Sequence, residues 1–503
     1  MGEAAVGRSG RTELDVLYLT DLRFPGGSSS SLVEETVAAV NAGYRVGALQ
    51  CRSTSLRRDR TFHPSVRGLI DDGRLVLVRP DEPVDCRLAV VKHPTVLRDA
   101  IGGRLNVWSD VRVVFVGQVP QDRDGTVHYV PSDVHEHVTE ALGGPAVWHP
   151  VSPVVRRSLK GTGVPLAEAD WVEVIDPTRY SVDRSGPSGE VPVIGRHGRP
   201  SVLKWPGDAA TLAEAYPTDG SATVRVLGGV DGLEGLLDEV PDRWEVLPFG
   251  AMDAADFLAG VDFFVYFHHP DLVEAFGRTV IEALASGCVV VLPPHFEDLF
   301  GEACRYVESA GVGDLVASLH RDSQAWLEAS ERGRRVVDER FSHVAHVARL
   351  GNLIGGPSSA AGRAAPTGRM PAGLREQRPR VLVSCVGMDA AGVAGVVRSL
   401  VTQRDRATGF APVLVTTEAP PDVAEHLDEE FVLDPKLRRF TGSRSGLVVE
   451  VVPSRSSHDG PESWEDHLLG RLREIRRAHR IDSVTVADLA QPDAWLSLQA
   501  SAG

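Results

Sequence analysis

Residues 263–294 read FFVYFHHPDLVEAFGRTVIEALASGCVVVLPP. Residues 261–267 are apolar, aromatic and β-branched over a strand's length, and residues 288–292 form a second such run that stops at Pro293 and Pro294. Between them Gly277 opens a helix whose apolar face is made by Ile281, Leu284 and Ala285, and Gly287 stands where the helix hands over to the next strand. Two apolar strands joined by a helix predict a parallel, buried pair. Ligands of such sheets bind beyond the carboxyl ends of the strands, which places the loop 268–276 and the amino end of the helix in the site. Glu274 stands in that loop, and Glu282 follows eight residues later inside the helix. A helix amino terminus suits a phosphate, and a carboxylate on either side can accept hydrogen bonds from sugar hydroxyls. The unit therefore fits a nucleotide sugar, although a βαβ unit with two solvated glutamates reads the same way by pattern alone.

Composition bounds the alternatives. At 503 residues the chain is long enough for roughly two to four domains. A formal charge of −16 argues against nonspecific nucleic-acid binding. No apolar run approaches the roughly 20 residues that span a bilayer, and the first fifteen residues lack the apolar core of a signal peptide, so a cytoplasmic protein is expected. Cys51, Cys86, Cys288, Cys304 and Cys385 are scattered and odd in number, which predicts small buried hydrophobes rather than a disulfide framework or a zinc site.

Working outward, residues 14–20, a loop DLRFPGGSSSS, a helix over 32–42 and a strand over 44–50 form a Rossmann-like opening. Gly26 and Gly27 let the backbone approach a ligand, and equally fit a flexible loop between strand and helix. Strands over 74–79, 86–92 and 111–116 continue the sheet. His93 follows the second of these, at a carboxyl strand end, where a hydrogen-bonded loop histidine is the alternative. Residues 160–189 are loop-rich and are expected to hold the hinge. Strands over 191–194, 223–227, 244–247, 263–267 and 288–292 then alternate with helices, predicting a second Rossmann-like domain. Its first strand ends in Gly195-Arg196-His197-Gly198-Arg199, with Lys204 following. A closing helix is expected over 341–354. Residues 355–378 have a linker's composition, and a third unit follows with strands over 411–416 and 446–452 and a helix over 464–479.

The run E-A-F-G-R-T-V-I-E, followed by A-L-A-S-G-C-V-V-V, resembles the E-x7-E pattern of retaining GT-B glycosyltransferases of the glycogen synthase and sucrose synthase type, with Ala275 where that family usually has Gly. The resemblance implies an α/β fold of two Rossmann-like domains facing a cleft. Residues 12–165 would be the acceptor-side domain and 185–350 the nucleotide-sugar domain, with a linker at 355–378 and an accessory or truncated Rossmann-like domain at 379–503. It implies a metal-independent, hexosyltransferase-like enzyme of glycan or cell-envelope biosynthesis that uses a nucleotide diphosphate sugar as substrate and has no separate cofactor. The acceptor would be a glycan, a lipid-linked molecule or a small molecule; no nucleic acid or transmembrane segment is expected, and peripheral membrane contact stays open.

By the same resemblance Glu274 and His93 are the catalytic candidates. Arg196 and Lys204 would hold the diphosphate and Glu282 the ribose, while Phe276, Gly277, Arg278, Gly26 and Gly27 complete the donor site. Two solvated surface cations are the alternative for Arg196 and Lys204. A GT-B nucleotide-sugar epimerase and a non-catalytic scaffold of the same fold are the alternative functions.

Overall fold

The computed structural model describes residues 11–53, 56, 61–79, 81–233, 235–237 and 239–358. Within the C-terminal unit it describes 380–404, 411–418, 420–427, 431–434, 439–442, 447–452, 454–456, 458, 463–478 and 483–486. The first sheet comprises β1 (Thr12–Thr20), β2 (Val46–Gln50), β3 (Val76–Val78), β4 (Val84–Val91), β5 (Val107–Val116) and β6 (Val147–Pro150). Its order is β3-β2-β1-β4-β5-β6, with every pairing parallel. The second comprises β7 (Val193–His197), β8 (Thr223–Leu227), β9 (Trp244–Leu247), β10 (Phe263–Val265), β11 (Val289–Leu292) and β12 (Arg305–Tyr306). Its order, β12-β11-β10-β7-β8-β9, is also wholly parallel and is the same doubly wound topology read from the other edge. Central strands of both sheets are covered on two faces, and all four residues of β11 are buried, whereas β8 alternates along its first four residues.

In a doubly wound sheet the ligand crevice opens where the strand order reverses. Here that is between β1 and β4 in the first sheet and between β7 and β10 in the second. Gly26 and His93 follow β1 and β4, whereas Lys204 and Glu274 follow β7 and β10. The topology therefore brings the residues chosen from sequence to two facing strand ends.

The helices that frame the site are α1 (Gly27–Asn41), α2 (Arg278–Ala285), α3 (Ser323–Arg340) and α4 (His343–Ile354). As expected of the closing helix, α4 packs back on the first domain: His346 and Leu350 are fully buried, and Tyr44 donates to the Gly355 carbonyl at 2.8 Å. The five cysteines are buried and none forms a disulfide. No described helix is long and apolar enough to cross a membrane.

Several elements differ from the sequence reading. Strands expected at 74–79 and 111–116 are Val76–Val78 and Val107–Val116. The strand β6 was not expected, because it is four residues long and ends in Pro150; an edge strand tolerates that missing donor, and the fully buried Trp148 holds it on the core. Residues 160–189 are less loose than expected: Trp171 is fully buried, and Arg184 donates to the carbonyls of Leu258, Val261 and Ser286 at 2.8–3.1 Å.

The C-terminal unit contains β13 (Arg380–Ser384), β14 (Ala411–Thr416), β15 (Phe431–Asp434), β16 (Arg439–Gly442), β17 (Val448–Val451) and β18 (Ser483–Val486). The sheet runs β15-β16-β17-β14-β13-β18. Strands β17, β14, β13 and β18 are parallel, as a Rossmann-like module requires, and β15 and β16 add an antiparallel edge that the sequence reading passed over. The linker expected at 355–378 lies, beyond residue 358, outside the described residues, as do Pro379 and residues 487–503.

Helix α5 (Trp464–Ala478) of this unit packs against residues 61–67 of the first domain. Its Glu474 is 1% exposed, accepts from the Phe62 N–H, and pairs with Arg67 at 3.1 Å and Arg471 at 2.8 Å. Burial raises this carboxyl despite both arginines. Losing such a pair costs little when both partners return to water. A chain ending at residue 378 is therefore expected to stay folded, with Tm lowered by about 5 °C or less, and to keep its nucleotide affinity. Insolubility in calorimetry trials would show instead that the third unit is needed for the fold.

Acid should loosen the joint between α4 and the first domain. Glu35 is fully buried and accepts from Lys92 at 2.5 Å, Trp171 at 2.9 Å and Tyr18 at 3.2 Å. Burial pushes its carboxyl up most strongly, but the Lys92 charge, His346, the Lys92 hydrogen bond and the Arg349 charge together outweigh this and hold it at about 2. Burial pushes His346 down to about 3. An unfolded histidine titrates near 6.5, so the stability carried by neutral His346 is complete above that pH and falls, by about 1.4 kcal/mol per pH unit, as pH drops toward 3. Glu35 adds its own loss below about 4.5, the unfolded carboxyl value. Urea unfolding at pH 7, 6 and 5 should show this decline, with a shallower slope in His346→Gln; equal slopes would assign the acid sensitivity elsewhere.

Candidate active site

Three groups of side chains line the region between the two sets of strand ends. The first is built on Glu274. Its carboxylate accepts from the Lys204 ammonium and from Tyr266 at 2.6 Å. Burial would raise the carboxyl, but the Lys204 charge and these hydrogen bonds outweigh it and hold the group below the usual carboxylate range. Gly277 caps the following helix with φ 89° and ψ 59°, a left-handed conformation that a residue with a side chain adopts only at a cost. Phe276 packs inward against Phe300 and Phe341, with ring centroids 5.9 and 5.8 Å away, and so belongs to the core rather than the site surface.

The second group surrounds Glu282, which is 8% exposed. Arg278 Nε donates to its Oε1 at 3.0 Å, and His197 Nε2 lies 3.4 Å from Oε2. His197 is buried, which lowers its pKa, and its Nε2 has no hydrogen-bond partner. Glu282 and His197 border a cavity of about 320 Å³ that is walled by Ser30 and Val33 of the first domain and by Leu227, Phe249 and Met252 of the second. Phe249 is 60% exposed there. Lys204 and Glu274 do not line this cavity, so the two glutamates serve different parts of the cleft.

The third group is Gly26, Gly27, His93 and their surroundings. Gly26 precedes α1 with φ 65°, and the Arg199 guanidinium stands 3.5 Å from where a Cβ on Gly26 would lie. The left-handed φ calls for glycine, whereas the approach of Arg199 is an ordinary van der Waals contact. No side chain caps α1, whose amino end therefore faces Arg199. His93 accepts at Nδ1 from the Thr95 N–H at 3.2 Å, pairs with Thr95 Oγ1 at 2.8 Å, and its ring centroid is 5.0 Å from that of Phe24. Burial lowers it to about 4, so it is neutral at pH 7, and the bond at Nδ1 assigns its proton to Nε2.

Arg196 was expected to face the diphosphate, but it is 3% exposed and turned inward. Side chains alternate along β7, so Arg196 shares the face of Ile194 and meets Trp205 and Tyr216. Its guanidinium lies 3.5 Å over the Trp205 ring and donates to Tyr216 Oη at 3.2 Å and to the Lys204 carbonyl at 2.5 Å. It thus supports the turn Val202–Lys204 that carries Lys204. On the opposite face His197, the last residue of β7, reaches the cavity, and Arg199 follows just beyond the strand's end. That residue was quoted in the sequence and passed over; the second Gly-Arg pair, Gly198-Arg199, was the signal. Tyr266, His197 and Glu34 were also missed, because no local pattern marks them.

No protein-family model and no curated protein matches the sequence. Among solved structures, a glycosyltransferase from Rickettsia africae ESF-5 aligns with 12% identity and a TM-score of 0.46, covering 68% of this chain and 99% of its own. AviGT4, a glycosyltransferase involved in avilamycin A biosynthesis, aligns with 17% identity and a TM-score of 0.41, covering 68% and 97%. TarM aligns with 8% identity and a TM-score of 0.46, covering 68% and 98%. The first two sheets share one doubly wound topology and residues of both domains wall one cavity, which is the two-domain arrangement expected of a GT-B fold.

Proposed function

We propose that the chain transfers a sugar from a nucleotide diphosphate sugar to an acceptor, with retention at the anomeric carbon. The observation that carries this reading is the placement of Glu274 and Glu282 at the two ends of one cleft, with Glu282 on an interdomain cavity and Glu274 on Lys204. The nucleoside would occupy the cavity, its ribose hydroxyls donating to Glu282 and its base resting near Phe249 and Met252. The diphosphate would lie toward Lys204, Arg199 and the amino end of α1. As the glycosidic bond breaks, the leaving diphosphate gains negative charge and the sugar develops positive charge. Lys204 and Arg199 would stabilise the first, and ionised Glu274 the second. Neutral His93 would offer its Nε2–H to a sugar hydroxyl or the incoming acceptor, a glycan, a lipid-linked molecule or a small molecule.

Thermal unfolding in the presence of UDP-, GDP- and ADP-sugars tests the reading, because a ligand that binds the native state raises Tm by mass action. One donor should stabilise the protein and release its nucleoside diphosphate only when acceptor is added. Conversion of the donor without acceptor would make the protein an epimerase. A protein that none of the nucleotides stabilises would lose the donor assignment.

A further inference from the structure

We propose that Arg278 is a positioning residue that couples Glu282 to the hinge, so that one guanidinium sets both the ribose carboxylate and the closing angle of the cleft. The inference rests on the reading of Glu282 given above and extends it to domain motion.

The chain crosses between the domains twice. Residues 171–176 lead out and residues 341–343 return; they are joined by a bridge between Ile175 and Ser342, with the Ile175 N–H donating to the Phe341 carbonyl at 2.9 Å. Glu34, on α1 of the first domain, touches both crossings. It accepts from the Asp176 N–H at 3.2 Å and pairs with His343 Nε2 at 2.7 Å. Its other oxygen accepts from Arg278 Nη2 at 3.1 Å.

Each edge of the Arg278 guanidinium is committed to a different body. Nε goes to Glu282 on its own helix α2, Nη2 to Glu34 on the first domain, and Nη1 to the crossing strand, at 3.4 Å from the Val174 carbonyl and 3.7 Å from Glu173 Oε2. A guanidinium is a planar fork with fixed donor directions, so these bonds hold together only at one relative orientation of the two domains. Opening the cleft must break the Glu34 contact or rotate the fork away from Glu282. Glu282 Oε2, beside His197, is left for the ligand, so ribose hydroxyls and Arg278 occupy different oxygens and reinforce each other. Glu173 lies in the same cluster, and burial pushes its carboxyl up to about 7 although Arg278 opposes this. Lys92 opposes it as well, so Glu173 belongs to a charge cluster that spans the crossing strand.

The test combines nucleoside diphosphate titration by calorimetry, using UDP, GDP and ADP in turn, with the distance between spin labels at Ser132→Cys and Ser221→Cys, one exposed site on each domain. Arg278→Gln and Glu34→Gln should each broaden the label distance without ligand and weaken nucleotide binding by about tenfold or more. The losses of the two single variants should add to more than the loss of the double variant, because the Arg278–Glu34 pair is common to both. Arg278→Lys, which keeps the charge but not the fork, should recover less than half of the lost closure. Should Arg278→Gln fail to fold, Glu34→Gln carries the test, since it leaves the Arg278–Glu282 pair in place. A Glu34→Gln protein with wild-type distance and affinity would overturn the proposal, as would an Arg278→Gln protein that loses affinity at an unchanged distance. If the wild type binds no nucleotide, the donor reading fails, and unchanged ligand-free distances in the variants would then overturn the hinge role separately.

Discussion

Glu274→Gln is expected to cut turnover by about 10²–10³-fold while leaving nucleoside diphosphate affinity within about threefold. The substitution keeps shape and the ability to accept from Lys204 and Tyr266, so the loop that carries residue 274 has little reason to move. What it removes is a negative charge, and that charge matters only when the sugar becomes cationic, in the transition state rather than in the bound donor. The environment is built to keep the carboxylate ionised, since Lys204 and Tyr266 more than offset its burial. Taking Lys204 away should therefore raise the Glu274 carboxyl and move the acid limb of the kcat/KM profile to higher pH. Glu282→Gln should behave in the opposite sense, raising KM for the donor with a smaller effect on kcat. Steady-state kinetics on both variants separates the roles, and equal losses of kcat would show that the two carboxylates share one function.

The parts of this molecule that could be read from sequence are those whose cause is local. The stretch 263–294 gives β10, α2 and β11 because apolar period, Gly277 and Gly287 all agree, and the structure pairs Phe263 with Val289 in parallel as that reading requires. Elements set by packing escaped: β6 has only four residues and a terminal proline, yet the buried Trp148 makes it a strand. The site divides in the same way. Glu274, Glu282 and Lys204 lie beside strand ends that the pattern located. The inward turn of Arg196 depends on which residue ends β7, a boundary that propensity does not fix. Arg278 was chosen as a donor contact, but its partner Glu34 is 244 residues away, and no spacing rule shows that its donors are already engaged.

Lys204→Ala and Arg199→Ala are each expected to weaken nucleoside diphosphate binding by roughly ten- to a hundredfold, the loss of a charge-assisted hydrogen bond worth about 1.5–3 kcal/mol. Arg199 makes no hydrogen bond or ion pair with any described residue, and its guanidinium already stands against Gly26 at the amino end of α1. Lys204 is engaged with Glu274, but an ammonium has three donors and keeps two for a phosphate. Arg196→Ala should act differently. It would empty the space beside Trp205, free the Lys204 carbonyl and leave Tyr216 Oη only the long bond from the Phe267 N–H, so its effect should appear as lower Tm with a smaller change in affinity. On the proposed reading two cations and a helix terminus would supply the charge that a divalent ion supplies elsewhere, so binding and turnover in the wild type should be unchanged by EDTA. Calorimetry with the free nucleoside diphosphate, with and without EDTA, measures both points. Turnover abolished by EDTA and restored by Mg²⁺ or Mn²⁺, with Lys204→Ala and Arg199→Ala binding normally, would remove these two residues from the phosphate site.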